Sequence, residues 1–132
     1  MVSDRRQLAM LSQITALRFQ RDQAKLADLL TQEADLRQKL HDLGAQRRAS
    51  AERHRHQDDT AFNAGADVQW HIWVEQRKKA LNTQLVQVLA QKLECQVVLQ
   101  RSFGQDQAAK QLIKQSLKKF EALQRRRASY ES

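Results

Sequence analysis

The chain has 132 residues, enough for one domain of ordinary size, and holds no proline and only three glycines, which leaves little punctuation for strands or loops. Its 23 Lys and Arg against 15 Asp and Glu give a formal net charge of +8, so acidic surfaces of protein, nucleic acid or membrane are what it should attract. A single cysteine, Cys95, excludes an internal disulfide and suits a reducing cytosol; no apolar run approaches the roughly 20 residues needed to span a bilayer, and residues 1–20 lack a cleavable apolar leader.

Ala, Leu, Gln, Lys, Arg and Glu fill most positions, and these unbranched side chains lose little rotamer freedom in a helix. With 29% charged residues and apolar residues three and four apart, the chain falls in the long-helix or coiled-coil class. The expected fold is all-α: two long helices, about 4–57 and 68–127, forming one antiparallel coiled-coil hairpin around a bend at about 58–67.

In the first helix Leu26, Leu29, Leu36, Leu40 and Leu43 make a heptad stripe that only Glu33 interrupts. Upstream, Met10, Ile14 and Leu17 repeat the spacing but join the later stripe only through a stutter between Leu17 and Leu26. Residues 44–57 lose the stripe while keeping helix-compatible side chains, which predicts a poorly packed helix. Asp58 to Asp67 then collect the turn and capping residues that the rest of the chain lacks, with Asp67 a candidate N-cap of the second helix.

The second helix holds the cleanest pattern. Four-three steps from Leu81 give Leu81, Leu85, Val88, Lys92, Cys95, Leu99, Ser102, Asp106, Ala109, Ile113, Ser116, Phe120 and Leu123, nine of them apolar, without a phase slip over 43 residues. Two such helices joined by a short bend bury their stripes against each other only when antiparallel, predicting a rod about 80–100 Å long. One seam is a thin core: each aliphatic side chain contributes roughly 1.5–3 kcal/mol gross while each ordered backbone costs about 1–2 kcal/mol, so the hairpin alone should be marginally stable until a partner clasps it.

Catalytic and cofactor chemistry find no support in these residues. His54 and His56 are two apart and so face different ways on a helix, and no further ligand completes a metal set. Cys95 falls on the seam as a small buried hydrophobe with no histidine a turn away. Gly44 and Gly104 stand singly inside helical pattern, so there is no phosphate-cradling loop. The expected class is a non-enzymatic protein-binding module without cofactor or metal.

Three features exceed what a hairpin needs. Val86, Leu89, Leu93 and Phe103 widen the stripe of the second helix on one flank, as a broader seam, a self-dimer contact or a partner's docking strip. Trp70 and Trp73 lie off the seam, on a flank continued by Arg77, Ala80 and Gln84; they either plug the bend or anchor a partner. Lys110, Lys114, Lys118, Lys119 and Arg125 to Arg127 face only Glu121 between 110 and 127, a local excess of +6 that suits an acidic ring or a polyanion when it is more than a solvated face.

The bend Ala64-Gly65-Ala66-Asp67, followed by Trp70, Trp73 and the run Gln76 to Leu85, in a basic hairpin of this size, resembles the FliJ family of flagellar export proteins and its type III secretion counterparts. The resemblance implies a cytoplasmic component, reaching the inner face of the membrane only through partners. Its paired terminal helices would enter the central hole of a hexameric export ATPase, as a rotary stalk does, through Lys110, Lys114, Lys118, Arg125 and Arg126. A surface of Trp70, Trp73, Arg77, Ala80 and Gln84 would meet the membrane export gate, and export chaperones are further implied partners. The competing classes are a structural scaffold and a nucleic-acid-associated coiled coil; against the latter, both tryptophans lie far from the basic run, whereas nucleic-acid binding interleaves the two.

Overall fold

The computed structural model describes the backbone of residues 2–54 and 60–131 and the side chains of residues 4–53 and 65–131. Two helices account for all of it, α1 (Val2–His54) and α2 (Thr60–Glu131), packed antiparallel as a coiled-coil hairpin. Local chemistry supports them throughout. Glu33–Arg37, Asp35–Lys39 and Asp106–Lys110 are ion pairs of 3.1–3.2 Å with the acid four residues before the base, the order that also complements the helix dipole. Asp4 sits in the first turn of α1, where a negative charge is favoured.

The second helix begins earlier than its turn-rich sequence suggests. Thr60 to Asp67 are helical, so Ala64-Gly65-Ala66-Asp67 is not a bend and Asp67 is not an N-cap; its carboxylate instead lies 3.4 Å from His71 one turn on. No residue here demands a left-handed backbone, and Gly65 has only a helical neighbour on either side, so helix propagation wins over scattered turn formers. Residues 58–59 of the expected bend, and 55–57 at the end of the expected first helix, lie outside the described residues.

By contact the chain divides into a terminal unit, Met1–Leu26 with Glu94–Ser132, and a middle unit, Ala27–Leu93. The middle unit has an aliphatic seam in which Leu29, Leu36, Leu43, Val74, Leu81 and Val88 are buried. Two charged interruptions of the stripes, Glu33 and Lys92, meet there: Lys92 Nζ donates to Glu33 Oε2 at 3.1 Å. Arg47 reaches Glu75 at 3.2 Å in the stretch where the apolar stripe fails.

The Lys92 hydrogen bond, with that of Arg37 second, holds the Glu33 carboxyl below its ordinary value of 4.5. A lowered folded-state value means that this contribution is complete above the ordinary value and is lost as pH falls through the lowered one. Lys92→Met is therefore expected to flatten the acid side of the stability curve, read as melting temperature against pH from neutrality downward. An unchanged acid slope would show that Lys92 and Glu33 act independently.

The terminal unit keeps the same heptad phase with different chemistry. Its α1 seam runs Leu8, Ser12, Thr15, Phe19, Asp22 and Leu26, continuous with Leu29, so there is no stutter. Met10, Ile14 and Leu17, expected in the seam, are instead 51–65% exposed, whereas Thr15 and Asp22 are buried. The partners on α2 explain the choice: Thr15 Oγ1 lies 3.2 Å from Asp106 Oδ1, and the Phe19 and Phe103 rings pack 5.5 Å apart. Buried Ser102 turns its hydroxyl back to the Leu99 carbonyl, and Cys95 is buried with its thiol toward the Asp22 carbonyl at 3.8 Å.

Candidate protein-binding surfaces

In the middle unit, Trp70, Trp73, Arg77, Ala80 and Gln84 each precede a seam position of α2 and so form one continuous flank. Val74 and Leu81, which turn inward beside them, are 2% exposed, and this fixes the direction in which the flank points. Trp73 is 52% exposed and Arg77, Ala80 and Gln84 are open to solvent, while Trp70 is half-buried with its ring edge-on to His71 at 5.5 Å. The two indoles are therefore not equivalent: Trp73 adds little to the hairpin, and Trp70 is shared between packing and surface. A shallow groove lined by Glu75, Lys79, Asn82 and Val86 opens on the opposite flank of α2 and does not include the tryptophans.

The widened stripe splits likewise. Leu89 is half-buried and Phe103 packs on Phe19, whereas Val86 and Leu93 remain about two-thirds exposed. Only part of that stripe is a broader seam.

In the terminal unit, Lys110, Lys114, Lys118, Arg125 and Arg126 are all exposed. The first three follow at four-residue intervals and Arg125 lies one heptad past Lys118, so these four share an outward face; Arg126 sits about 100° round the helix from Arg125. Lys110 is not a free cation, because its ammonium lies 3.1 Å from the buried Asp106 carboxylate. The Arg5 guanidinium stacks 3.8 Å over the Phe120 ring and brings a cation of α1 to the same unit.

Charge is divided unequally between the units. Residues 1–26 and 94–132 hold 13 Lys and Arg against 6 Asp and Glu, or +7, and residues 27–93 hold 10 against 9, or +1. Total composition hides this division, because +8 reads as a uniformly basic chain. Also invisible in the sequence is the Oδ2 of buried Asp22, which has no hydrogen-bond partner among the described residues; its Oδ1 has there only the exposed Arg21 at 3.6 Å.

Among the described residues no group of three or more His, Cys, Asp or Glu could hold a metal ion, and no helix is long and apolar enough to cross a membrane. The side chains of His54 and His56 lie outside the described residues. What the residues define is a basic helical hairpin with two separate exposed surfaces. No protein-family model matches the chain, and neither a curated protein nor a solved structure is significantly similar to it.

Proposed function

We propose that the chain is a non-enzymatic stalk or adaptor of a flagellar or type III protein export apparatus, seating its terminal unit in a hexameric export ATPase and presenting the Trp73 flank to the export gate. The division of charge carries this reading: the terminal unit holds +7 and the middle unit only +1, which suits insertion of the terminal unit alone into an acidic ring. The resemblance to the FliJ family, carried by Trp70, Trp73 and the run 76–85 and no longer by a bend at 64–67, and an exposed tryptophan off the seam support the second contact.

The test is stimulation of a purified hexameric export ATPase by the full chain. Lys114→Glu with Lys118→Glu is expected to weaken stimulation, more at low salt than at high salt, because both side chains are exposed and screened. Full stimulation by the double variant moves the contact elsewhere, and absence of stimulation by the native chain removes the ATPase from the reading. Tight DNA binding with a steep salt slope would instead favour the nucleic-acid class.

For the gate contact, Trp73→Ala is expected to shift folding stability by no more than about 0.5 kcal/mol, as for other exposed positions. It should cost on the order of 2 kcal/mol in binding to the gate's cytoplasmic domain, as truncated interface anchors do. Equal binding by Trp73→Ala would leave Trp73 without this role.

A further inference from the structure

The terminal unit buries four polar side chains, Thr15, Asp22, Ser102 and Asp106, and leaves several large aliphatic ones exposed outside its seam, which calls for something to cover the latter. Which side they occupy follows from the coiled-coil geometry. Ala9 and Leu117, each one position after a seam residue, line a common groove, so the flanks that follow the seam meet on one side of the unit. The flanks that precede it therefore share the other side.

On that side α1 offers Leu11 and Ile14, and α2 offers Leu112 and Val98, all 42–51% exposed. The Thr15–Asp106 hydrogen bond sets the level of the two helices, bringing Leu11 and Ile14 beside the turns of α2 that carry Ala108 and Leu112. The charge is biased to the same side. Among residues preceding a seam position in the unit, Arg18, Arg21, Lys25, Arg101, Lys119 and Arg126 face only Asp4 and Glu94, whereas the opposite flank has three cations against two acids.

We infer that this side of the terminal unit is a docking groove for a third helix, supplied by a partner protein and carrying an aliphatic stripe flanked by acidic residues. A groove between two helices accepts the ridge of a third, and the unit would become a three-helix bundle. A second copy of the chain is disfavoured because its matching unit carries the same +7. A nucleic-acid phosphate backbone would use the cations but leave Leu11, Ile14 and Leu112 uncovered, and an anionic bilayer, which would take both, is an outcome of the test. The inference does not depend on the export reading, and its cations are distinct from Lys114 and Lys118, whose reversal tests that reading.

The experiment uses the full chain and two fluorescent synthetic helical peptides with one leucine stripe, one flanked by glutamates and one by lysines. Anisotropy should show binding of the glutamate peptide and at least roughly tenfold weaker binding of the lysine peptide. Ile14→Glu with Leu112→Glu should weaken the glutamate peptide by a further order of magnitude, about tenfold or more, with helicity by circular dichroism retained. Arg18→Glu with Arg101→Glu should shift preference toward the lysine peptide, a reversal that unfolding does not produce. Equal binding of both peptides, no binding of the glutamate peptide at millimolar concentration, or indifference to both double variants overturns the inference. So does tighter binding to a DNA duplex or to anionic phosphatidylserine vesicles that these variants equally abolish.

Discussion

Leu81→Ala is expected to lower folding stability by about 2–5 kcal/mol, the range for truncating a well-packed buried leucine. Leu81 is 2% exposed in the aliphatic seam of the middle unit, one heptad on from Val74 at the same exposure. The cost belongs at the upper part of the range where neighbours cannot collapse into the gap. Here long helices fix the neighbouring backbone, and the Lys92–Glu33 contact sets a register that puts Leu40 and Leu43 of α1 at the level of Leu81. Urea unfolding followed at 222 nm checks this, with Leu123→Ala as the comparison: Leu123 occupies the same seam phase but is 45% exposed, so its truncation should cost far less. Equal losses at the two positions would mean that the seam does not differ in packing along α2.

How much of this was legible in the sequence depends on the unit. In the middle unit apolar residues themselves mark the seam, and counting from Leu81 finds every buried position from Leu81 to Ala109; it misses Val74, one heptad earlier, because the count began after it. In the terminal part of α1 the same counting chose Met10, Ile14 and Leu17, because hydrophobicity is the signal it follows. The helix instead buries Thr15 and Asp22, since the phase is imposed by the long continuous seam after Leu26 and by what α2 offers opposite. Asp106 was visible as a polar step in the α2 stripe, but its pairing with Thr15 across 91 residues depends on tertiary alignment. The tryptophan flank was legible because it required only the period of one helix. Of the expected bend at about 58–67, residues 60–67 were misread because turn-forming residues are tolerated in a helix once neighbours propagate it.

Asp22→Leu is expected to stabilise the protein, by about 1–4 kcal/mol, against the usual direction of single substitutions. Asp22 is 4% exposed, its Oδ2 has no hydrogen-bond partner among the described residues, and its only ion pair there is a 3.6 Å approach from an arginine that is 74% exposed. A buried carboxylate so weakly compensated loses hydration without regaining it, and replacing a buried charge by an aliphatic group of similar size removes that penalty. The change would also continue the leucine stripe of Leu26 and Leu29 one step further. Asp106 provides the contrast within the same seam. It is equally buried but satisfied, by Thr15 at 3.2 Å and Lys110 at 3.1 Å, so Asp106→Leu removes two partnered contacts and should not stabilise. Chemical denaturation of both variants, with hydrogen exchange at residues 8–26 to locate the effect, separates the cases. Stabilisation by Asp22→Leu with a loss in Asp106→Leu would identify the unpartnered oxygen as the weak point of the terminal unit, and destabilisation by Asp22→Leu would show that its carboxylate is better compensated than its contacts indicate.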